Sequence, residues 1–155
     1  MQLSGKITIR APRALCIASV QRAETLAAFL PGAATVVARD ASSFDVEFRR
    51  DFGRIAVKLR GTLTISEEEP GQLWRFVLQA KHLLAGSAHM DIAMRFTGTG
   101  PTGLAYDGTL TAAGLAGRMV TEHQDRLPLK LGEMFAGLKQ RIEAERRAAS
   151  PQAPA

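Results

Sequence analysis

The chain has 155 residues, of which 46% are hydrophobic and 23% are charged, and its formal net charge at pH 7 is +5. This length and composition predict one globular domain that can bury a sizeable core. No apolar run approaches the ~18–20 residues of a membrane-spanning helix. The single Cys16 excludes an internal disulfide, and we expect it to be a buried small hydrophobe. The N-terminal stretch has no signal-peptide core, so we expect a cytoplasmic protein.

The excess of positive charge raises the question of an anionic partner. Basic residues fall on the polar faces of predicted strands, and they are Lys6, Arg10, Arg54, Lys58 and Arg60. Asp45 and Glu47 lie on the same face of the preceding strand, so cross-strand ion pairs are expected to absorb part of this charge. Because no aromatic stacking motif, helix-turn-helix or zinc spacing is present, nucleic acid is not an expected partner. An anionic membrane surface, contacted peripherally, and an acidic partner protein stay open as alternatives.

The N-terminal part of the chain combines a strand with two short helices. Alternating apolar residues from Leu3 to Ile9 predict the first strand. Ala11-Pro12 ends it, since a proline suits the start of the helix that follows. The segment 13–30 is expected to form two short helices, and Pro31-Gly32 is expected to end the second.

From Val36 onward the apolar pattern has a period of two. The stretch 53–65, GRIAVKLRGTLTI, illustrates it, because one face carries Ile55, Val57, Leu59, Leu63 and Ile65. Turn-forming residues separate the predicted strands, at 40–43, 49–54, 67–71 and 97–103. Short connections of this kind predict hairpins, so we expect about six strands in an antiparallel meander with one polar face.

After Ala113-Gly114 the period changes to that of a helix. Apolar residues recur at steps of three or four, and they are Leu115, Met119, Leu127, Leu131, Met134, Phe135, Leu138 and Ile142. This stripe predicts a long amphipathic helix over residues 115–147. Pro128 interrupts the pattern, which fits either a bent helix or two helices joined near residues 126–128. The segment 148–155 is expected to be a disordered tail.

Together these elements predict an α+β protein with one domain over residues 1–147. Its curved antiparallel sheet of about seven strands is accompanied by two short helices and a long C-terminal helix. The apolar face of the sheet needs a cover, and the long helix is the element able to supply it. From the residues alone, the space between them is either a filled core or a cavity for a guest molecule.

Several short segments resemble those of a known protein family. Met1–Gly5 reads MQLSG, Ala11-Pro12 follows it, and Leu30-Pro31-Gly32 closes the short helices at matching spacing. Gly61 among alternating apolar residues and Ala113-Gly114 before the helix match as well. On these motifs the chain resembles the carbon monoxide dehydrogenase G-subunit family, within the START-like (SRPBCC) superfamily of helix-grip, birch-pollen-allergen-like proteins.

The resemblance implies both a fold and a kind of function. A helix-grip domain would hold an apolar small molecule, lipid-like or quinone-like, between the sheet and the C-terminal helix. In the closest relatives this is linked to the assembly, membrane recruitment or quinone supply of molybdenum-containing dehydrogenases, so a redox enzyme is an implied partner. The sequence departs from the family at Ile17, where an aromatic residue is usual, at Arg22-Ala23, which replace an Asp-Pro, and at Pro128.

The predicted ligand-binding residues come from the apolar face of the sheet and the apolar stripe of the helix. They are Leu59, Leu63, Trp74, Phe76, Met90, Met94, Phe96 and Tyr106 from the sheet, and Leu127, Leu131, Met134 and Phe135 from the helix. Flexible methionines suit an adaptable apolar site, and Trp74 and Tyr106 each carry a polar group that needs a partner. With the resemblance added, a cavity is preferred to a filled core.

Evidence for catalysis in the sequence is weak. The histidines lack metal-ligand spacing, and no phosphate-binding loop or nucleophile elbow is present, so no catalytic residue, metal or cofactor is predicted. His89 and Asp91 share the solvated strand face, which favours a surface pair over an acid–base pair. Tyr106 is the inward titratable group of the predicted sheet. We therefore expect a non-catalytic binding module, with an interaction or maturation factor for the dehydrogenase and a small cyclase-like enzyme as alternatives.

Overall fold

A computed structural model of the chain describes residues 1–30, 35–52, 55–82 and 86–149. Its strands are β1 (Gln2–Ile9), β2 (Thr35–Ala38), β3 (Ser43–Phe52), β4 (Ile55–Glu69), β5 (Leu73–His82), β6 (Gly86–Thr97) and β7 (Thr102–Ala113). Its helices are α1 (Arg13–Val20), α2 (Ala23–Phe29), α3 (Leu115–Glu122) and α4 (Leu127–Ala149). The predicted order of a strand, two short helices, six strands and a C-terminal helical region is confirmed.

These strands form one antiparallel sheet in the order β1-β7-β6-β5-β4-β3-β2. Strands β2 to β7 are neighbours in space because each is joined to the next by a short connection. β1 pairs with β7 at one edge, with Gln2 opposite Thr109 and Ile9 opposite Thr102. The segment with α1 and α2 therefore carries the chain from one edge of the sheet to the other, and the predicted meander is confirmed.

The turn between β2 and β3 follows the prediction. Asp40 Oδ1 accepts hydrogen bonds from the backbone N–H groups of Ser42 and Ser43, both at 2.9 Å, as is typical of Asp in tight turns. These hydrogen bonds, that from Ser42 foremost, hold the pKa of the Asp40 carboxyl below its usual range. Two other predicted turn motifs, Pro31-Gly32 and Gly53-Arg54, lie outside the described residues.

The polar turn expected at residues 67–71 is shorter than predicted, because β4 continues to Glu69. The acidic run stays in the strand since its carboxylates reach arginines on the next two strands of the sheet, β5 and β6. Glu68 contacts Arg75 at 2.5 Å, and Glu69 contacts Arg95 at 2.9 Å. Ion pairs across the sheet thus extend a strand into a sequence that by composition alone is typical of a loop.

The C-terminal helical region is divided in two, which is one of the two predicted arrangements. α3 ends at Glu122 and α4 begins at Leu127. Pro128 therefore lies in the first turn of α4, where its missing N–H removes no intrahelical hydrogen bond. α4 continues to Ala149, so the start of the expected disordered tail is helical; residues 150–155 lie outside the described part of the chain.

The division also changes which residues are buried. Leu115, predicted to lie on the buried stripe, is 43% exposed. The break between the helices resets the direction in which successive side chains point, so the apolar stripe of α4 does not continue along α3. The side chain of Met119, predicted on the same stripe, lies outside the described residues.

The core lies between the concave face of the sheet and α4. Inward side chains of neighbouring strands meet in rows across the sheet, and Ile65, Phe76 and Ile92 form one such row. α4, which is about 34 Å long at ~1.5 Å per residue, covers these rows with its buried side chains Leu131, Phe135, Leu138 and Ile142. The predicted placement of the amphipathic helix over the apolar face is confirmed.

The C-terminal half of α4 is tied to β1 and α1 by polar contacts. Glu143 accepts a hydrogen bond from the backbone N–H of Arg10 at 3.0 Å, which together with Lys139 holds the pKa of the Glu143 carboxyl below its usual range. Glu145 accepts one from Ser19 Oγ at 2.6 Å and forms an ion pair with Arg22. These contacts fix how the far end of α4 lies on the body of the protein.

The convex face of the sheet carries the expected cross-strand ion pairs. Glu47 lies 3.6 Å from both Lys58 and Arg60, which confirms the prediction for this carboxylate. Asp45 instead pairs with Arg39, also at 3.6 Å. Because all five side chains are solvent-exposed to a large extent, each pair contributes about 1 kcal/mol or less to stability.

Candidate ligand-binding site

A row of small residues crosses the concave face near one end of the sheet. Gly61 on β4 is paired with Ala80 on β5, Ala80 with Ala88 on β6, and Ala88 with Ala112 on β7. The adjacent row carries large side chains, namely Leu63, Leu78, Met90 and Leu110. Because Gly and Ala fill little of the space above the strands, this small-residue row leaves a volume that larger side chains occupy elsewhere in the core.

α3, the α3–α4 link and the first turns of α4 form a roof above the small-residue row. α3 packs against β6 and β7, and it lies so close to β7 that a methyl group added to Gly117 would come within 2.9 Å of the Ala112 carbonyl oxygen. Between roof and sheet is a cavity of about 260 Å³. The two helices therefore enclose space rather than fill it.

The cavity is lined almost wholly by apolar side chains. The sheet contributes Leu3, Phe48, Leu59, Leu78, Ala80, Ala88, Met90 and Leu110, and the residue after α2, Leu30, adds to the wall. The roof contributes Ala116, Val120, His123, Leu127, Lys130, Leu131 and Met134. Of these sixteen described residues, fourteen are apolar, so the site can bury an apolar molecule with little desolvation of polar groups.

The structure brings together five of the twelve predicted ligand-binding residues. Those that line the cavity are Leu59, Met90, Leu127, Leu131 and Met134. The other seven are buried but lie outside the lining, and they are Leu63, Trp74, Phe76, Met94, Phe96, Tyr106 and Phe135. The twelve predicted residues thus form one continuous apolar surface, and the cavity lies at one end of it.

The rest of that surface is filled by an aromatic cluster made of Phe29, Phe76, Tyr106 and Phe135. The rings of Tyr106 and Phe135 are stacked with centroids 3.8 Å apart. Phe29 lies edge-on to Phe135 at 5.0 Å and to Phe76 at 5.9 Å. Because these rings contact one another directly, they leave no space of ligand size between them.

The two polar groups that the sequence suggested as ligand contacts lie in the packed part of the core. Trp74 Nε1 is buried and has no hydrogen-bond partner among the described residues. The phenol of Tyr106 packs over Gly5, where an added methyl group would overlap it. Burial raises the pKa of the Tyr106 hydroxyl above its ordinary value, so this side chain is a neutral part of the core at neutral pH.

Sequence reasoning missed eleven of the lining residues, of which four belong to the roof, two are alanines of the sheet and five are larger apolar residues of the sheet or the end of α2. The missed residues are Leu3, Leu30, Phe48, Leu78, Ala80, Ala88, Leu110, Ala116, Val120, His123 and Lys130. The signal that could have found the floor is the pair Ala80 and Ala88, which occupy inward positions on two successive strands. Small residues at inward positions predict space, whereas large ones predict packing.

His123 and Lys130 are the polar side chains of the described lining. His123 belongs to the α3–α4 link, and its carbonyl accepts hydrogen bonds from the N–H groups of Arg126 and Leu127 at the start of α4. Lys130 follows in the first turn of α4. Both side chains are solvent-exposed, so they mark the place where the cavity meets water.

The remaining residues weighed for chemistry occupy structural positions. Asp91 accepts a hydrogen bond from Arg75 Nη1 at 2.5 Å, and hydrogen bonds to Glu68 and Asp91 raise the pKa of the Arg75 guanidinium. The partner of Asp91 is therefore an arginine of β5 rather than His89. Cys16 is fully buried, and desolvation raises the pKa of its thiol, which confirms it as a small core residue.

Two further observations concern metals and membranes. In the described ranges, no group of three or more His, Cys, Asp or Glu side chains is placed to hold a metal ion. No helix of these same ranges combines the length and the apolar character that crossing a bilayer requires.

Fold and cavity together define a helix-grip protein with an apolar site between its curved sheet and its C-terminal helices. The model of the carbon monoxide dehydrogenase G-subunit family (CoxG) matches residues 5–143. The chain belongs to this family, and the family predicted from its short motifs is confirmed.

Solved structures show the same fold at low sequence identity. A conserved protein from Geobacillus kaustophilus has a TM-score of 0.73 at 10% identity, over 94% of this chain and 97% of that chain. The Zhui aromatase/cyclase from Streptomyces sp. R1128 has a TM-score of 0.62 at 14% identity, over 99% of each chain. Ara h 8.0201 has a TM-score of 0.61 at 12% identity, over 93% of this chain and 98% of that chain. A comparison with curated proteins found no match.

Proposed function

We propose that this protein binds an apolar small molecule in the cavity between its sheet and the α3–α4 roof, without converting it chemically. The observation that supports this most strongly is a contrast within one core. The aromatic cluster is packed ring against ring, whereas the small-residue row leaves about 260 Å³ under the roof. A mostly apolar cavity with few polar groups is typical of small-molecule sites, and a lipid-like or quinone-like molecule is the class that the family resemblance implies.

The cavity volume limits how much of a ligand is buried. At ~30 Å³ for each water-sized or methylene-sized group, 260 Å³ holds about nine such groups. This is just below the roughly 300–1,000 Å³ of sites for drug-sized molecules. The site therefore fits a small apolar molecule completely, or the apolar end of a longer one that continues out of the mouth.

A chain-length series of primary alcohols tests this proposal. Each methylene that enters an apolar cavity contributes about 0.8 kcal/mol, which lowers Kd about fourfold. Affinity, measured by displacement of the neutral fluorescent probe N-phenylnaphthylamine, should rise at this rate from hexanol to decanol. Beyond about ten carbons, when the cavity is full, the gain per methylene should fall. A series without such a break, or no displacement at all, would contradict the proposal.

A matched pair of variants on β6 places the binding in this cavity. Ala88→Phe puts a ring into the space above the small-residue row and should abolish displacement of the probe by decanol. Ala93→Phe adds the same ring on the convex face, between Arg75 and Asp107 of the neighbouring strands, and should leave binding unchanged. Equal binding by both variants would mean that the ligand is held elsewhere.

The partner that we propose is a dehydrogenase of the carbon monoxide dehydrogenase type, which the family description supports. On this proposal the protein supplies the enzyme with the bound apolar molecule or assists its assembly. The exposed cations Lys58 and Arg60 on the convex face offer a contact for an acidic surface. Capture of the enzyme from its host should be salt-sensitive and should be lost in the double variant Lys58→Glu, Arg60→Glu. The control Lys6→Glu, Arg147→Glu changes the net charge equally and should retain capture.

A peripheral contact with an anionic membrane is the second candidate, and Leu129 favours it. This side chain is 72% exposed and lies in the first turn of α4 between Arg126 and Lys130. An exposed leucine beside cations is suited to insertion among anionic lipid head groups. Sedimentation with vesicles containing phosphatidylglycerol should decrease in Leu129→Ser. Val37→Ser, which removes an exposed apolar residue from β2, should bind the vesicles as the parent does.

The structural likeness to an aromatase/cyclase raises an enzymatic alternative, which the lining residues of this chain do not favour. Acid–base chemistry in the cavity needs a titratable group that reaches the ligand. His123 and Lys130, the titratable side chains of the described lining, lie at its solvent-exposed mouth, and Tyr106, the inward titratable group of the sheet, is stacked on Phe135. Turnover of a cyclisation substrate that is abolished by Tyr106→Phe would overturn the non-catalytic proposal.

A further inference from the structure

We infer that the ligand is an amphiphile with an anionic head group, which Lys130 and His123 bind at the mouth of the cavity while the apolar body lies beneath the α3–α4 roof. This inference rests on the proposed function, because it presupposes that an apolar molecule occupies the cavity. It adds the chemical class of the ligand and the direction in which the ligand lies.

The direction in which the ligand lies follows from the positions of the two polar lining residues. Lys130 and His123 line the cavity and are also solvent-exposed. Residues with both properties lie at the mouth of a cavity and not at its floor. The floor is formed by inward residues such as Leu78, Ala80 and Met90, all of them buried. A ligand that filled the cavity would therefore place its polar end beside Lys130 and its apolar end over the sheet.

The preference for an anionic head group follows from the chemical groups at the mouth of the cavity. Lys130 is a cation with hydrogen-bond donors alone, and imidazole nitrogen can also donate. The long aliphatic stem of a lysine can lie along an apolar wall while its ammonium group stays in water. Acidic side chains of the same stretch, Glu122, Asp125 and Glu133, are exposed but do not line the cavity. The mouth thus offers donors and positive charge to the ligand, which suits a carboxylate or phosphate group.

The test compares ligands that share a decyl chain and differ in the head group. Undecanoate, decyl phosphate, decanol and decylammonium are titrated against the protein loaded with N-phenylnaphthylamine, at low ionic strength. For a partly solvated ion pair we expect the anions to bind about two- to fivefold more tightly than decanol, and decylammonium more weakly. Added salt should reduce this difference.

Charge reversal locates the effect at the mouth. In Lys130→Glu the order of affinities relative to decanol should invert, so that decylammonium binds more tightly than decanol and undecanoate more weakly. The control Lys6→Glu makes the same change in net charge on the convex face of β1, and it should keep the parent order. Retention of the anion preference in Lys130→Glu, or its loss in Lys6→Glu, would overturn the inference. His123→Gln should lower the affinity for undecanoate relative to that for decanol.

The result separates this inference from the function on which it rests. If decanol displaces the probe and neither anion binds more tightly, the charged mouth is refuted and the apolar site stands. If decanol does not displace the probe, the proposed function itself fails.

Discussion

Phe135 is the side chain that joins α4 to the aromatic cluster, and its removal tests how the packed half of the core is held together. The residue is fully buried, stacks on Tyr106 and lies edge-on to Phe29. Truncation of a fully buried phenylalanine to alanine typically costs about 3–5 kcal/mol, because apolar contacts are lost and a cavity remains. In a chain of this length each kcal/mol lowers Tm by about 2–4 °C. Phe135→Ala should therefore lower Tm by about 6–20 °C.

Trp74 provides the assay, because it is the single tryptophan of the chain and it is buried. Its fluorescence should shift to the red on unfolding by urea or heat. Leu129→Ala is the matched control on the same helix, since an exposed leucine contributes little and its removal should change stability by about 0.5 kcal/mol or less. Equal stability of the two variants would show that α4 does not pack on the cluster as described.

Three further predictions concern single contacts. Gly5→Ala adds a methyl group that overlaps the phenol of Tyr106, so it should cost about 1–3 kcal/mol in urea unfolding; a neutral effect would place the ring elsewhere. Glu145→Gln weakens the contacts to Ser19 and Arg22 and should lower the free energy of unfolding by about 1–2 kcal/mol. If Ser19 and Glu145 act together, adding Ser19→Ala to this variant should cause no further loss of stability. Burial raises the pKa of Tyr106, the single tyrosine of the chain. A raised pKa in the folded state means that its contribution to stability is complete below the ordinary tyrosine pKa of about 10 and is lost as pH rises above it. Phenolate absorbance of the folded protein should therefore appear at higher pH than in the urea-unfolded chain, and coincident curves would argue against its burial.

The fold could be predicted because two kinds of periodicity follow one another along the chain. Period two from Val36 to Leu110 gives the meander, and the three-to-four spacing from Leu131 to Ile142 gives the apolar stripe of α4. These patterns reflect burial on one face, which is a local property of a strand or helix. The position of the break near Pro128 could be predicted for the same reason, since a proline acts on its own helix.

The cavity could be predicted only in part, because it depends on the register between strands. Each of Gly61, Ala80 and Ala88 is unremarkable in its own strand, and it is the pairing of β4 with β5 and of β5 with β6 that sets them side by side. Which part of α4 packs on the aromatic cluster likewise depends on the ring contact between Phe29 and Phe135. These two residues are distant in the chain. Sequence spacing gives the face on which a side chain lies, whereas the neighbours that fill or leave space above it are set by tertiary structure.

The most direct measurement follows the methyl groups of the methionines by NMR while decanol is added to methyl-labelled protein. Met90 and Met134 line the cavity, and Met94, four residues from Met90 on the same strand face, is buried outside the lining. Assignment by single Met→Leu variants identifies each signal. We predict large shifts for Met90 and Met134 and a much smaller one for Met94. A larger response of Met94, or no response of Met90 and Met134, would contradict an apolar site beneath the α3–α4 roof.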